Sequence, residues 1–559
     1  MHDETCLTLA VVVNDGPLPL WVHRALSETA ALDGVRLALL LSHPRDPCAD
    51  EAARSRLGRL YRDVDQWWFA PSHALHGNAP PDRELPGVPG VTAVPTTRDE
   101  YARLLSAHRI DAVLDLSDRA VACDGAVAQG TWRLSHAGAT AETAALSGVL
   151  GGVPSVRSVL HSTDSPERVL CESTSALQSA SVSRALSSLL WKNVALVRRG
   201  VQRLQRDRSG AALQALPALH WASRADIRAR ELPWRLPAHL ARAVRNRWRR
   251  QSHDSRWILL TGRRDGADIV DIERVLPPVG HFWADPFVVA DESERYVFFE
   301  DYRYDLARGH IAVAPIDAAG RIGHSTVALE RPYHLSYPWV FQHEGTWYMV
   351  PETQANRTVE VYRCNRFPDR WQFSHVLMRD VRAVDATFLQ HGGRWWMFAN
   401  IAEFEGTSTH DDLCAFWADG PLSTNWHPHP LNPVVSDVRR ARPAGPFVRR
   451  DGRLLRPSQD CELQYGGAVC VNEVVELTET TYLERCIGKF EATWDPDVVA
   501  MHTVSELDGL VVLDGKLRTR RGHPTPPPAA MGHCPLTDPG RSSHGTAQAP
   551  EPWATESEQ

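Results

Sequence analysis

The chain has 559 residues, a formal net charge of −7 at pH 7 and 43% hydrophobic residues. This length is too great for a single hydrophobic core, so we expect two or three domains. Without a basic excess to neutralise phosphates, the composition excludes a protein whose main partner is nucleic acid.

The N-terminal region alternates predicted strands with predicted helices. We expect strands at 6–13, 35–42, 91–95 and 111–116, and helices at 18–32 and 97–108. This alternation is typical of a doubly wound α/β domain with an open parallel sheet, whose ligands bind beyond the carboxyl ends of the strands. The turn at residues 14–17 reads Asn-Asp-Gly-Pro, so the glycine fingerprint of a dinucleotide site is missing and no cofactor is predicted.

Targeting signals are not evident in the sequence. The apolar run near the start has acidic residues before it and a glycine turn after it, which favours a buried strand over a signal peptide. No run of 18 apolar residues predicts a membrane span. The ten cysteines form no C-x-x-C pair, which indicates reduced thiols and a cytoplasmic protein.

A connecting region follows the first domain. We expect a long helix at 177–205 and a linker at 213–251 that contains a basic helix at 238–250. The arginines of this helix are Arg242, Arg245, Arg247, Arg249 and Arg250. Its basic face is interpreted as a solvated connector or, alternatively, as a peripheral contact with an anionic membrane surface or an acidic partner.

The second half of the chain repeats one unit, in which an apolar strand, a hairpin turn and an aromatic-rich strand follow a short motif. The motifs are Asp285-Pro286-Phe287, Tyr337-Pro338-Trp339, Asp385-Ala386-Thr387-Phe388, Pro443-Ala444-Gly445-Pro446-Phe447 and a weaker His502-Thr503-Val504. Their turns recur about every 50 to 60 residues, the size of a propeller blade. The pattern predicts an all-β five-bladed propeller.

A propeller brings the first residue of each innermost strand to a shared central pocket. We expect those residues to be Asp285, Tyr337, Asp385, Arg442 and His502. Trp283 flanks this pocket and is a candidate to stack on a sugar ring. Aspartates at such positions can instead cap a loop or pair with Arg442, and the tryptophans can serve blade packing alone.

Residues 130–138, Gly-Thr-Trp-Arg-Leu-Ser-His-Ala-Gly, resemble the Asn-x-His loop of formyltransferase catalytic domains that act on amino sugars or initiator methionyl-tRNA. In that family the Asn and His polarise the formyl carbonyl and a later Asp helps to move protons. His136 matches the His, but Leu134 stands at the Asn position and Ser165 at the Asp position, with Asp164 one residue out of register. Losing one amide donor typically costs about 100- to 1,000-fold in rate. The resemblance therefore implies a degenerate domain, in which formyl transfer is not expected.

The second half resembles the propeller family at the N-terminus of plant glucosamine inositolphosphorylceramide transferases, which bacteria fuse to a formyltransferase-like domain. The motifs that carry this resemblance are Trp283-Ala284-Asp285-Pro286-Phe287, Ser336-Tyr337-Pro338, Pro351-Glu352-Thr353, Asn356-Arg357, Asp385-Ala386-Thr387-Phe388, Asn432-Pro433-Val434, Ser436-Asp437, Arg442-Pro443-Ala444-Gly445 and Arg456-Pro457-Ser458-Gln459-Asp460-Cys461. The fold is similar in turn to family 43 glycoside hydrolases, which carry three carboxylates around the axis.

That second similarity implies roles for the carboxylates, because glycosidic cleavage generally uses one protonated and one ionised carboxyl group. Asp285 matches the general base, and Asp385 matches the carboxylate that orients the acid. The fourth blade has no matching acid, so Glu352 is the candidate acid and Asp460 the reserve.

The remaining pocket residues imply binding roles. Tyr337 is expected to contact the substrate. Arg442 suits a phosphate or carboxylate as well as an aspartate. His502 matches an axial histidine near a water-coordinated central cation, with a plain hydrogen-bonded histidine as the alternative.

The sequence thus predicts a formyltransferase-like domain at 1–205, a basic linker at 206–255, a propeller at 256–515 and a disordered tail at 516–559. The leading hypothesis is a carbohydrate-active protein that binds or processes a glycoside, or glycolipid-linked sugar, in glycan assembly. The alternatives are a non-catalytic glycan-binding or scaffold module and a component of a sugar transferase.

Overall fold

The computed structural model describes residues 6–46, 52, 55–69, 73–79, 91–93, 95, 97–118, 127–164, 168–177, 180–206, 229–522 and 532–538. The chain divides into two compact units. The first comprises Met1–Ala243 with Glu403–Thr407, and the second comprises Val244–Ala402 with Ser408–Gln559.

The first unit is built on a seven-stranded sheet. Its strands are β1 (Leu7–Asn14), β2 (Val35–His43), β3 (Val91–Ala93), β4 (Ala112–Asp115), β5 (Thr131–His136), β6 (Ser155–Ser162) and β7 (Val169–Ala176). They lie in the order β3-β2-β1-β4-β5-β6-β7. Pairing is parallel from β3 to β5 and antiparallel from β5 to β7, so the sheet is mixed and not wholly parallel as predicted. The short connection between β6 and β7 requires these two strands to be antiparallel, because only antiparallel neighbours can be joined by a hairpin.

Helices cover both faces of this sheet. They are α1 (Leu20–Ala30), α2 (Arg56–Phe69), α3 (Arg98–Ala107), α4 (Ala141–Gly151), α5 (Val182–Arg206) and α6 (Leu232–Ser252). Strand β1 alternates between the faces: Leu9 and Val11 pack with α1, α4 and α5, whereas Val12 packs with Tyr101 and Leu105 of α3. None of the described helices is long and apolar enough to cross a membrane.

The second unit is a set of antiparallel sheets. Its strands are β8 (His253–Asp265), β9 (Asp268–Val275), β10 (His281–Asp291), β11 (Glu294–Arg303), β12 (Arg308–Ile316), β13 (Thr326–Leu329), β14 (Ser336–His343), β15 (Thr346–Thr353), β16 (Thr358–Arg366), β17 (Arg370–Arg379), β18 (Ala383–His391), β19 (Arg394–Ile401), β20 (Asp412–Ala418), β21 (His427–Pro428), β22 (Val435–Ser436), β23 (Val448–Arg450), β24 (Arg453–Asp460), β25 (Ala468–Leu477), β26 (Tyr482–Phe490), β27 (Val504–Leu507), β28 (Leu510–Arg520) and β29 (Gly532–Cys534).

These strands form five sheets, which confirms the predicted five-bladed propeller. Blades 1 and 2 are β10–β13 and β14–β17, blade 3 is β18–β22, and blade 4 is β23–β26. Blade 5 has the order β27-β28-β8-β9-β29, so both ends of the propeller contribute to it. The predicted glycine turns are present: Asp451-Gly452 and Asp508-Gly509 both have two positive φ angles, as hairpin turns of type I′ require.

The propeller extends beyond its predicted bounds. Strand β28 continues to Arg520, beyond residue 516, where the sequence predicted the start of a disordered tail, because its whole length pairs with β8. Within 532–538, β29 pairs with β9 and Thr537 pairs with Lys489. These described parts of the predicted tail are therefore ordered by their pairing with blades 4 and 5.

Candidate functional site on the propeller axis

Three blades begin their innermost strand with a β-bulge that carries a left-handed residue. Asp285, Tyr337 and Asp385 have φ angles of 52°, 43° and 53°. The pairing register shifts beside each of them. A non-glycine residue in this region costs about 1–3 kcal/mol and persists where its surroundings hold it. The repeated bulge is thus a built feature of the axis.

Carboxylates hold these bulges by accepting their backbone N–H groups. Asp514 Oδ2 accepts the N–H of Asp285 at 3.0 Å, and Asp285 Oδ2 accepts the N–H of Tyr337 at 3.2 Å. Glu352 Oε2 accepts the N–H of Asp385 at 3.2 Å. The acidic side chains of Asp514, Asp285 and Glu352 therefore link successive blades around the axis, and Asp514 was not predicted from the sequence.

The fourth blade differs from the prediction in its axial residue. Gly445, with a φ of 118°, takes the bulge position, and its N–H donates to the Tyr337 hydroxyl at 2.8 Å. Arg442 lies three residues earlier, but its side chain reaches Asp385, with Nε 2.5 Å from Oδ2. Only glycine tolerates this position, because a Cβ on Gly445 would lie 2.1 Å from the Val504 carbonyl oxygen.

Asp385 and Arg442 are the centre of a buried polar network, with 2% and 6% of their surfaces exposed. Gln459 Nε2 donates to Asp385 Oδ2 at 3.1 Å, and the His410 ring nitrogen Nδ1 lies 2.9 Å from Arg442 Nη1. Burial and the Arg442 charge hold the pKa of His410 well below its usual range. His410 is therefore neutral, and its Nδ1 accepts a hydrogen bond from Arg442 Nη1. The Arg442 guanidinium also lies over the Tyr465 ring, 4.7 Å from its centroid.

His502 lies between two buried carboxylates. Its Nδ1 is 2.7 Å from Asp514 Oδ2 and its Nε2 is 3.4 Å from Asp285 Oδ1, which also accepts the Thr503 hydroxyl. Burial alone would lower the pKa of His502, but Asp514 and Asp285 outweigh it and raise the pKa. Burial raises the pKa of Asp285 to about 6, against the opposing His502 charge. The arrangement is that of an imidazolium held by aspartates.

From the sequence, His502 alone was expected to lie near a water-coordinated central cation. Ligand atoms of Asp285, His502 and Asp514 all lie within 4.8 Å of one another. However, Asp514 Oδ1 already accepts the N–H groups of His502 and Thr503, and Asp514 Oδ2 accepts that of Asp285. A protonated His502 would repel a metal ion and offers it no lone pair. A central cation near His502 therefore stays a prediction, and it requires a neutral His502.

Glu352 is the most accessible of the axial acids. Its residue is half-buried, whereas Asp285 and Asp385 are 4% and 2% exposed. Burial and the neighbouring Asp385 charge raise the pKa of Glu352 well above its usual range, and Arg442 opposes the shift. A carboxyl group that keeps its proton near neutral pH can act as a general acid.

Aromatic rings lie beside this polar centre. Trp257 stacks on His502 with ring centroids 4.1 Å apart, and Tyr465 meets His502 edge-on at 5.1 Å. Tyr465 is half-buried. Aromatic surface next to a few convergent polar groups is typical of a small-molecule pocket.

Three predicted binding residues have other surroundings. Trp283 is 7% exposed and packs with Phe299 in a blade core, so its ring does not face a ligand. Tyr337 is fully buried, and its hydroxyl pairs with Thr387 at 2.8 Å. Asp460 pairs with Lys489 instead of joining the axial network. Side chains alternate along β24, so its neighbour Gln459 faces Asp385.

Several axial residues were not predicted from the sequence, namely Trp257, His410, Gln459, Tyr465 and Asp514. Gln459 and Asp514 lie on the second strands of their blades, and an inward-facing polar residue in an otherwise apolar strand was the available signal. His410 and Tyr465 lie in loops, where no periodic pattern marks them.

The formyltransferase-like residues lie in and after β5. His136 is 2% exposed, its Nδ1 lies 2.7 Å from the Ser158 hydroxyl, and burial lowers its pKa to about 4. Leu134 is half-buried in the strand. Asp164 Oδ2 accepts the N–H of Thr131 at 3.4 Å, while Ser165 lies outside the described residues. His136 thus has the environment of an internal, neutral histidine.

The propeller sequence is similar to proteins of a named family. A family model described as glucosamine inositolphosphorylceramide transferase 1, N-terminal, matches residues 273–492. The rice protein glucosamine inositolphosphorylceramide transferase 1 (Oryza sativa subsp. japonica) is 32% identical over 207 residues, which are 36% of this chain and 28% of that protein. The Arabidopsis thaliana protein of the same name is also 32% identical, over 36% of this chain and 27% of its own length. The match thus spans less than a third of these relatives.

Solved structures with some likeness are glycoside hydrolases. The catalytic domain of the Coprinopsis cinerea GH62 α-L-arabinofuranosidase has a TM-score of 0.34 at 12% identity, covering 46% of this chain and 90% of that one. The Cellvibrio cellulosa α-L-arabinanase has a TM-score of 0.31 at 15% identity, covering 43% and 91%. The relation that the sequence establishes is therefore the one to the N-terminal region of glucosamine inositolphosphorylceramide transferase 1, and it is confined to the propeller.

Proposed function

We propose that the axial pocket of the propeller binds a glycoside, such as a glycolipid-linked sugar, and processes it in glycan assembly. The similarity to the N-terminal region of the glucosamine inositolphosphorylceramide transferases supports a role in this field of chemistry. Carboxyl groups beside aromatic rings supply the polar and apolar contacts that a sugar ring needs.

The observation that carries a catalytic role is the environment of Glu352. Its pKa is raised well above the usual range while the residue stays half-buried at the axis. In this proposal Glu352 gives its proton to the glycosidic oxygen as the bond to the anomeric carbon breaks. Asp285 takes the proton of the attacking water or acceptor hydroxyl, and Asp385 with Arg442 sets the charge around the acid.

In this proposal, hydrolysis and sugar transfer differ only in the attacking group, which is water in hydrolysis and a hydroxyl of the acceptor in transfer. The relatives are named transferases, which favours an acceptor other than water. Because the match covers less than a third of those proteins, transfer by this chain is part of the proposal and does not follow from the names.

A non-catalytic glycan-binding module is the second candidate, and one observation favours it. The oxygens of Asp285 and Asp385 are already engaged by Tyr337, Thr503, Arg442 and Gln459. Aspartates held in this way can shape a binding site without moving protons.

The test compares turnover with binding. A panel of nitrophenyl glycosides measures cleavage, and a glycan array measures binding by the full chain. If the proposal is right, Glu352→Gln abolishes turnover and leaves binding largely intact, while Glu330→Gln, at an exposed ion pair with Arg308, changes neither. Binding without turnover in the unmodified protein would favour the binding module. The absence of both binding and turnover would contradict both candidate functions.

For the first unit we propose a formyltransferase-like domain that no longer transfers formyl groups. The support is the Leu134 at the amide-donor position and the burial of His136 against Ser158. Formylation of an amino sugar from a folate donor, lost in His136→Ala, would contradict this proposal.

A further inference from the structure

Helix α6 exposes large apolar side chains to solvent. Trp234, Leu240, Val244 and Trp248 are 70%, 56%, 68% and 65% exposed. The last three recur every four residues, so they lie along one side of the helix. A stripe of this size on a surface helix is unusual without a partner that covers it.

The helix is oriented by its other side. Leu232, Leu236 and His239 are buried, at 0%, 9% and 3% exposure, and the two leucines belong to the core of the first unit. The ring of His239 meets Tyr61 of α2 edge-on at 6.2 Å. Because the helix already has a packed side, the exposed stripe is a second apolar face.

Arginines flank this second face. The helix contains no Asp or Glu from Leu232 to Ser252. At 100° per residue, the exposed Arg245 and Arg249 lie on one side of the stripe and Arg247 lies on the other. None of these three guanidinium groups forms an ion pair with another residue in the described part of the chain.

We propose that α6 binds the surface of a membrane that contains anionic lipids. The stripe from Trp234 to Trp248 inserts at the boundary between the lipid headgroups and the acyl chains, and the flanking arginines contact lipid phosphates. An apolar stripe with tryptophans, arginines beside it and no acids is the pattern of an interfacial helix. A protein partner would not require the consistent positive charge, so a lipid surface is the occupant that the charge favours. This proposal does not depend on the sugar chemistry of the propeller.

The experiment measures binding of the full chain to vesicles of phosphatidylcholine, with and without phosphatidylglycerol. We expect co-sedimentation with the anionic vesicles, a blue shift of tryptophan fluorescence, and loss of binding at high salt. Combining Leu240→Ser with Trp248→Ser should weaken partitioning at least about tenfold. Each of Arg245→Gln and Arg249→Gln should weaken it about fivefold.

The matched control is Leu483→Ser on β26, because Leu483 is 54% exposed and lies in a blade. It should leave partitioning unchanged, and circular dichroism should show that all variants are folded. The proposal is overturned if the unmodified chain does not bind anionic vesicles, or if Leu240→Ser with Trp248→Ser leaves binding intact. A dimer in sedimentation that only this variant dissociates, without vesicle binding, would identify a protein interface instead.

Discussion

Arg442 and Asp385 form an ion pair that is almost completely removed from water. The exposed fractions of their side chains are 7% and 2%, and Gln459 and His410 satisfy further hydrogen-bonding groups. In such a pair, the attraction between the two charges offsets the free-energy cost of removing them from water only while both partners are present. The pair therefore matters for stability as well as for the charge around Glu352.

We predict that Arg442→Ala lowers the free energy of unfolding of the propeller by about 3–5 kcal/mol, because Asp385 then stays buried without a counter-charge. Arg321→Ala should cost less than about 1 kcal/mol, because Arg321 and its partner Asp317 are exposed. Urea unfolding followed by circular dichroism measures both. Equal losses of unfolding free energy in the two variants would show that the buried axial pair stabilises the propeller no more than an exposed ion pair does.

His502 gives the propeller a predicted pH dependence. Its folded-state pKa is raised above the usual value, so the stability it contributes is complete below that value and is lost as the pH rises through the folded pKa. Asp285 has a pKa raised to about 6. It therefore adds a second loss of stability at lower pH, as the pH rises from the usual pKa of an aspartate to about 6.

Unfolding measured from about pH 6 to about pH 9 should therefore show falling stability, and His502→Gln should flatten that slope. His324→Gln, at an exposed histidine, should leave the slope as it is. A slope that survives His502→Gln would mean that another group causes it.

At the scale of single elements, the bulges decide where the axial side chains stand. In blades 1 to 3 an L-residue occupies the left-handed position, and in blade 4 Gly445 does so because the Val504 carbonyl leaves no room for a Cβ. Arg442 lies three residues before this position, and its side chain reaches Asp385.

We predict that Gly445→Ala destabilises the propeller by at least about 3 kcal/mol, through strain at positive φ and a clash with backbone. Gly452→Ala is the matched control, since its φ is also positive at 74° but no atom lies within 4 Å of the added Cβ. It should cost only about 1–2 kcal/mol. Equal costs in a denaturant titration would argue against the close approach of Gly445 and Val504.

The sequence predicted the blades well because each blade is a local hairpin repeat with glycine turns and alternating aromatic residues. It placed Arg442 at the start of the innermost strand of blade 4, whereas Gly445 takes the left-handed position there. It named Asp460 as the reserve acid and not Gln459, because strand parity depends on where β24 begins. Contacts across the axis, such as that of Asp514 with Asp285, join residues that are far apart in sequence, and no local signal predicts them.

At the scale of the whole propeller, the closure of blade 5 was the largest feature beyond sequence analysis. Strands β8 and β9 precede all other strands of the second unit, yet β8 pairs with β28 from Leu510 to Arg520. This pairing buries Leu259, Val512 and Leu513 completely. The first and last strands thus share one sheet, which leaves no unpaired inner edge at the closing blade.

This closure predicts how the propeller responds to shortening. A fragment of residues 253–538 keeps all strands of blade 5 and should unfold in one cooperative transition. A fragment of residues 276–538 lacks β8 and β9, so β28 keeps only its short pairing with β27 and the buried side chains of blade 5 become exposed. We expect the shorter fragment to be largely unfolded or to aggregate, as seen by circular dichroism and size-exclusion chromatography. If it instead unfolds at the same urea midpoint as the longer fragment, the pairing of the two ends does not hold the propeller closed.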